Sequence, residues 1–352
     1  MTNNENGLLT LVESVVETAD TKSFFFRHPN GTPDFKPGQF INIGVTIDGT
    51  TYYRAYSISS LPSDKLIQLT IKRVPGGTVS NWMIDHLNIG EQLRLQGIAG
   101  MFNIIDSPYR ENIVLISAGC GITPVMSMAR HLLSLSDESI KSIQFIHCAR
   151  DEDNIIYFKE LCKLSNEYNK FKLAFYCSRP TKKSDSLIHK GRLNMDSLMI
   201  HMKDCFNDSS IYLCGPDEFM DMVKTELEAS GFEMNHFHME SFAISCETPE
   251  TYNASGHEGR KNHKVSVLDF AFEKEVPDGT ILLDILQENS IPVVAACRAG
   301  ICSSCKCKIE TGKIELTVDA IANGTLTLEE IEEGYTLACS SRIIDDITVT
   351  LK

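Results

Sequence analysis

Four cysteines toward the C-terminal end carry the most specific chemistry in the chain. Cys297, Cys302 and Cys305 follow one another in AACRAGICSSCKCKIETGKI, and Cys339 stands further on in YTLACSSR. The spacing C-x4-C-x2-C with a distant fourth cysteine holds a 2Fe–2S cluster. Three thiolates come from one tight loop, and the fourth comes from a separate segment folded against it. The small residues Ala299, Gly300, Ser303 and Ser304 let backbone amides approach the inorganic sulfurs, and such hydrogen bonds tune the potential. A zinc ribbon would pair two short Cys-x-x-Cys units, and the second unit is missing because Cys305-x-Cys307 is too close. Cys307 reads as a spare thiol in the following strand.

Two further constellations suit organic cofactors. Arg54, Tyr56 and Ser57 in RAYSIS offer, at alternating positions, a guanidinium, a ring face and a hydroxyl. A flavin needs those groups for its pyrophosphate, its isoalloxazine and its reactive nitrogen. Further on, Gly76-Gly77-Thr78-Val79-Ser80 opens a helix whose first amides can hold phosphate. After the apolar run NIVLIS comes Ala118-Gly119-Cys120-Gly121-Ile122-Thr123-Pro124 and then a helical pattern. These glycines permit a tight turn and close approach to a pyrophosphate, and Pro124 near the helix start costs little for its missing amide. Cys214-Gly215-Pro216-Asp217 repeats the arrangement after IYLC.

The elements that must position these groups are legible as three blocks and a connector. Residues 1–108 show short alternating runs (INIGV, YYRAYSIS, LIQLTIKRV, EQLRLQGI) broken by Pro37-Gly38, Asp48-Gly49 and Pro75-Gly76-Gly77, the pattern of a small antiparallel β-barrel with a helix inserted over Val79 to Leu87. Residues 109–243 alternate apolar strand, turn and helix, with HFHME as a last strand, which predicts a doubly wound α/β domain with ligands at the carboxyl ends of its strands. The segment around IIYFKEL is expected to be one of its helices. Residues 244–263 are poor in large apolar groups and read as a flexible linker, its ends about 20 to 25 Å apart on average. Residues 264–352 read as an α+β domain: VSVLDF as strand, TILLDILQEN as helix, the cysteine loop, and a short helix opened by a Thr327/Glu330 capping box before the strand DITVTLK.

The formal net charge of −14 argues against nucleic acid and anionic membrane as partners, since both demand a basic footprint. A protein acceptor with a basic docking face suits it better. MTNNENGLLT has neither the basic start nor the apolar core of a secretory signal, and no apolar stretch is long enough to span a bilayer. The expectation is a cytoplasmic protein. Twelve cysteines fit a reducing compartment, because Cys148 and Cys177 sit within apolar strands where a thiol packs as a small hydrophobe.

The C-terminal block, with CRAGICSSC, closely resembles plant-type ferredoxins, which implies a β-grasp fold. RAYSISS followed by a glycine-serine loop, SAGCGITPVMSM, IPVVAACRAGIC and the EIEEGYTLACS tail together resemble the ferredoxin-NADP reductase superfamily in its branch with a C-terminal 2Fe–2S domain. That resemblance covers nearly the whole chain. It implies FAD held by Arg54, Tyr56, Ser57, Lys72, Val74, Val79 and Ser80. It implies a nicotinamide dinucleotide held by Gly119, Gly121, Thr123, Pro124, Cys214, Gly215 and Pro216. Ser57, Cys214 and Glu240 would line the hydride-transfer site, although Cys214 is equally readable as a packed strand-end thiol. The activity implied is an NAD(P)H oxidoreductase passing electrons through FAD to the cluster, near about −400 mV, and on to a protein acceptor. Within the branch the acceptor is hybrid cluster protein or an oxygenase component such as phenylacetyl-CoA epoxygenase; a redox-sensing subunit without turnover is the remaining reading. Ser178, Arg179, Lys182 and Lys183 would suit the 2′-phosphate of NADPH, so the choice between NADH and NADPH stays open. The acidic run Glu329, Glu330, Glu332, Glu333 fits a docking face that a mobile linker could swing between flavin and acceptor.

Overall fold

The computed structural model describes residues 7–135, 137–181, 186–242, 261–289, 291, 293, 300, 305–317 and 325–351. The chain divides into two compact units, 1–242 and 243–352. Nearly all of the expected linker lies outside the described residues. Its last two residues, Asn262 and His263, belong to the first strand of the second unit.

The first unit begins with β1 (Gly7–Thr18), β2 (Thr21–Arg27), β3 (Phe40–Ile47), β4 (Thr50–Ser57), β5 (Ile67–Lys72), α1 (Thr78–His86) and β6 (Gln92–Ala99). The strands pair antiparallel in the order β4-β3-β6-β1-β2-β5. A bridge between Ile58 and Leu69 brings the two edges together just beyond Ser57. The expected barrel is thus closed at the end of the strand that carries RAYS. Alternate residues such as Ile41, Ile43, Leu69, Ile71, Leu93 and Leu95 fill it, and α1 plugs it with Val79, Met83 and Ile84. Burying each of these side chains is worth about 1.5–3 kcal/mol.

Then come β7 (Asn112–Ala118), α2 (Ile122–Ser134), β8 (Ser142–Ala149), α3 (Phe158–Glu167), β9 (Phe171–Cys177), β10 (Ile188–Lys190), α4 (Met195–Met202), β11 (Ser209–Gly215), α5 (Asp217–Ala229) and β12 (Phe237–Ser241). The parallel order β10-β9-β8-β7-β11-β12 reverses direction between β7 and β11. In an open α/β sheet that reversal leaves a crevice at the carboxyl ends. The central β7 is buried along nearly its whole length, so it reads as a continuous apolar run. One expected helix is shorter than its pattern. Ile155 and Ile156 are buried but lie before α3, because Tyr157 adopts a left-handed backbone (φ 59°) that stops the helix from extending back over them.

The second unit contains β13 (Asn262–Val267), β14 (Phe272–Pro277), α6 (Leu282–Glu288), β15 (Lys306–Thr311), β16 (Ile314–Leu316), α7 (Leu328–Glu332), β17 (Tyr335–Leu337), β18 (Ser341–Ile343) and β19 (Ile347–Thr350). A mixed sheet β14-β13-β19-β15-β17 packs on α6 through Val265, Val267, Leu282, Leu286 and Val349. The helix in VSVLDF is a finding of the structure: Leu268–Phe270 is a single 3₁₀ turn, closed by Ala271 at φ 47°. The capping box forms as expected, with Thr327 Oγ1 accepting from the Glu330 amide at 3.1 Å and the Glu330 carboxylate accepting from the Thr327 amide at 2.9 Å. Glu330 also pairs with Lys306, the residue after Cys305, at 2.6 Å. Thr327→Ala removes one of these caps, and thermal denaturation of the second unit should report a loss of about 1 kcal/mol.

Candidate functional site

The barrel contributes the end of β4. Arg54 and Tyr56 share a face by the alternation of the strand, whereas Ser57, one residue on, falls on the other, so the three do not alternate as the sequence reading had it. Arg54 is exposed and donates to the Tyr53 carbonyl at 2.7 Å. Ser57 is 5% exposed, and its buried Oγ has no hydrogen-bond partner among the described residues. A buried hydroxyl without a partner is costly in a finished fold and is what a bound polar group would satisfy. Burial pushes the Tyr56 phenol upward, Arg54 opposes this, and the Cys120 thiol adds to it. Tyr56 therefore stands close to the glycine turn of the α/β domain.

The other expected flavin contacts lie around the β5–α1 loop. Lys72 is already in an ion pair with Asp20 at 2.7 Å. Burial alone would raise the Asp20 carboxyl, but hydrogen bonds from Lys72, Thr18 and Thr21 hold it below its usual range. Ser80 Oγ accepts from the Val74 amide at 3.3 Å, and Val79 is buried in the barrel core, so the loop offers backbone amides rather than these side chains. The N-cap of α1 is Gly77, with no capping side chain and no acid in the first turn. Those orphan amides and the positive end of the helix dipole form an anion seat.

The α/β domain contributes its switch point. Gly119 has φ 55°, a conformation that favours glycine, and open space where a side chain would stand. Gly121 is pressed against β11: a Cβ there would lie 2.1 Å from the Cys214 carbonyl oxygen. Thr123 Oγ1 turns back to the Cys120 carbonyl at 3.0 Å, and Pro124 is the third residue of α2, where no intrahelical amide is needed. The N-terminus of α2 has neither a side-chain cap nor an acid. That of α5, which follows Pro216, carries Asp217 and Glu218. An anionic pyrophosphate is therefore drawn to α2 and repelled from α5.

Strand register sets His147, Ser117, Cys214 and Glu240 in one row across β8, β7, β11 and β12. Cys214 is fully buried, and burial, the Glu240 carboxylate and Cys120 all drive its thiol well above the ordinary range. It is a neutral thiol in the parallel sheet, beside Glu240. Ser117 Oγ and His147 Nδ1 are 2.9 Å apart. Burial lowers the His147 imidazole to about 3, helped by Lys72.

In the second unit, Cys305 and Cys339 come together as expected. The Cys339 amide donates to Cys305 Sγ at 3.4 Å, and the Gly300 amide donates to Cys339 Sγ at 3.3 Å. Amide donors on both sulfurs suit thiolates that carry a cluster. Cys297 and Cys302 lie outside the described residues. Cys307 is buried in β15, as read from the sequence. The nine described cysteines, Cys305 and Cys339 among them, are all free thiols.

Family models match in the same order. An oxidoreductase FAD-binding domain covers residues 8–104, an oxidoreductase NAD-binding domain 115–225, and a 2Fe-2S iron-sulfur cluster binding domain 269–343. The chain is 33% identical to the glycine betaine monooxygenase reductase subunit of Pseudomonas aeruginosa, over 98% of this chain and 95% of that one. The chain belongs to the ferredoxin-NADP reductase superfamily. It is in the branch that ends in a 2Fe–2S domain. It is also 32% identical to the NADH oxidoreductase HCR of Escherichia coli, over 90% of this chain and 88% of that one. Phthalate dioxygenase reductase shares the fold, with a TM-score of 0.60 and 21% identity over 98% of this chain and 97% of that structure. The protein is an NAD(P)H oxidoreductase with FAD-binding, NAD-binding and 2Fe–2S domains. Among the described residues no helix is long and apolar enough to cross a membrane.

Sequence reading missed a group of polar residues between barrel and α/β domain: Ser127, Arg130, Tyr157 and Glu160. The sequence signal is Ser127 and Arg130 at i, i+3 in the mainly apolar helix PVMSMARHLL.

Gly121→Ala drives a methyl into the Cys214 carbonyl, an overpacking cost of about 1–3 kcal/mol that falls on the Gly119–Gly121 turn. The Michaelis constant for the nicotinamide donor should rise more than tenfold, by about 1.4 kcal/mol or more, with flavin and cluster absorbance unchanged. His147 yields a pH signature. Its folded value lies below the ordinary 6.5, so its contribution to stability is complete above pH 6.5 and is lost as the pH falls toward about 3. His147→Gln should flatten the fall in melting temperature between pH 6.5 and 5, by up to about 1.4 kcal/mol per pH unit.

Proposed function

We propose that this reductase is the electron-supplying component of a multi-protein oxygenase, drawing on NAD(P)H and delivering electrons singly to an oxygenase partner. The observation that carries this reading is end-to-end similarity to an oxygenase reductase subunit, with the same three domains in the same order. Hybrid cluster protein as acceptor is a second reading, favoured by the name of the Escherichia coli relative alone.

In this reading the domains run 1–108, 109–243 and 264–352, joined by a linker over 244–263, in a cytoplasmic protein. Arg54 and the uncapped α1 amides at Thr78 to Ser80, close to Val74, would hold the pyrophosphate of FAD. Tyr56 packs against the ring system and Ser57 Oγ supplies the hydrogen bond for which the buried hydroxyl has no other use. Lys72 acts through its backbone, because Asp20 holds its ammonium. Gly119, Gly121, Thr123 and Pro124 seat the dinucleotide pyrophosphate on α2. Cys214, Ser57 and Glu240 would line the nicotinamide site, with Gly215 and Pro216 carrying the chain on from Cys214 into α5. When bound, the flavin accepts a hydride from the nicotinamide and the cluster held by Cys297, Cys302, Cys305 and Cys339 takes electrons one at a time. The buried, neutral Cys214 thiol would present an uncharged surface to the nicotinamide.

The test is steady-state oxidation of NADH and NADPH with three acceptors: ferricyanide, the oxygenase component of glycine betaine monooxygenase, and hybrid cluster protein. The oxygenase component should be reduced fastest of the two proteins; preferential reduction of hybrid cluster protein would establish the second reading instead. Cys305→Ser should abolish reduction of either protein while ferricyanide reduction persists. Ser57→Ala should slow ferricyanide reduction about tenfold at saturating donor, the worth of one hydrogen bond of about 1.4 kcal/mol.

A further inference from the structure

A chain of buried polar contacts joins the flavin strand to the helix that begins at the nicotinamide turn. Arg130 lies in the third turn of α2, with a side chain only 14% exposed. Its Nε and Nη2 grip the two carboxylate oxygens of Glu160 on α3 at 2.8 and 2.7 Å. Its Nη1 points the other way, donating to the Ser59 carbonyl at 2.5 Å and to Gln68 Oε1 at 2.7 Å. One turn earlier, Ser127 Oγ donates to the Ser60 carbonyl at 2.8 Å. The guanidinium carbon stands 5.4 Å from the ring centre of Tyr157, whose hydroxyl donates to Thr70 on β5. Tyr157 holds its left-handed backbone at this place, an unfavourable conformation for a bulky residue that persists where surroundings over-determine it.

These contacts converge on Ser57-Ile58-Ser59-Ser60, the segment that leaves β4 and closes the barrel through the Ile58–Leu69 bridge. Both carbonyls that Ser127 and Arg130 hold lie within three residues of Ser57. The same helix starts at Gly121, packed against Cys214. We propose that Arg130, oriented by Glu160 and assisted by Ser127, is a positioning residue that fixes the distance between the Ser57 segment and the Gly119–Gly121 turn, and with it the reach of the hydride. The inference rests on the reading that flavin lies at Ser57 and nicotinamide at Gly121. The physical reason is steep: a displacement of about 1 Å at a reacting centre costs about a hundredfold in rate. The fork of Arg130 reaches both domains at once, and lysine has one ammonium to place where arginine has three nitrogens.

The test uses the full chain and three variants, Arg130→Met, Arg130→Lys and Ser127→Ala, with the nicotinamide that the wild type oxidises. Rapid-mixing measurement of flavin bleaching at saturating donor should show a 10- to 100-fold slower step in Arg130→Met, a smaller loss in Ser127→Ala and partial recovery in Arg130→Lys. The Michaelis constant should stay within about twofold, and the kinetic isotope effect with donor deuterated at the transferred position should rise, as expected when hydride transfer becomes more limiting. Hydrogen exchange on the chain before FAD is added gives a readout independent of activity. The amides of Ile58, Ser59 and Ser60 should exchange faster in Arg130→Met, with β13 and β19 unchanged. Unaltered exchange at residues 58–60 would overturn the proposal whether or not the wild type is active. An unaltered bleaching rate in Arg130→Met, in a wild-type background that is reduced normally, would overturn it alone and leave the flavin and nicotinamide assignments standing. A wild type that neither nicotinamide reduces would overturn those assignments and this proposal together.

Discussion

A guanidinium taken out of water must be surrounded by acceptors, because an uncompensated buried charge costs several kcal/mol. Arg130 meets that demand with acceptors on three separate elements: Glu160 on α3, the Ser59 carbonyl beyond β4 and Gln68 on β5. The first unit is shaped by this requirement. Two domains that could each fold around a core of their own are held in one arrangement, since sliding either one would strip a partner from the buried cation. The network continues into the barrel, where Gln68 donates to Ser23, and Ser23 meets both Thr70 and Glu17. Burial pushes the Glu17 carboxyl above its usual range, Ser23 and the backbone of Tyr157 oppose that rise, and Glu160 adds to it.

The apolar cores lie mostly within one domain each, although Phe102 and Ile104 of residues 1–108 pack into the core of the α/β domain. One surrounds α2 and α3 on one face of the parallel sheet, another lies beneath α4 and α5 on the opposite face, and a third fills the barrel. Apolar contact is tolerant of small rotations, whereas hydrogen bonds to a planar fork are not. Polar contacts at a domain boundary therefore add precision where the cores add cohesion. In an electron-transfer protein that division is useful, because hydride transfer demands sub-ångström placement while delivery to a separate acceptor does not.

Helix N-termini show how the sheet discriminates between similar motifs. The two glycine turns, Gly119–Gly121 and Gly215–Pro216, look alike in sequence and both end a strand at the switch point. The helices behind them differ: α2 presents bare amides, and α5 presents Asp217 and Glu218, with Asp217 accepting from Ser241. An anion can be bound at only one of them without repulsion. Residue types already carry that difference, and it becomes decisive once register places Cys214 beside Ser117 and Glu240.

Local chemistry was readable from the chain because it depends on neighbours in sequence. The barrel strands, the strand-helix alternation, the glycine turns, the Thr327/Glu330 cap and the cysteine spacing are all short-range patterns, and period and turn residues suffice to place them. Ser57 was grouped with Arg54 and Tyr56, although its place in the chain already puts it on the other face of the strand. Two features were out of reach. Lys72 looked available for a cofactor, yet Asp20, 52 residues earlier, holds its ammonium. Arg130 looked like an ordinary helix cation, and its partners are 30, 62 and 71 residues away. By itself the sequence determined which cofactor chemistries the chain can hold, since these follow from residue type and spacing. Only the tertiary structure decided how the strand that carries Ser57 and the Gly119–Gly121 turn are fixed to each other, because a buried charge selects its partners by proximity in space and leaves no periodic trace along the chain.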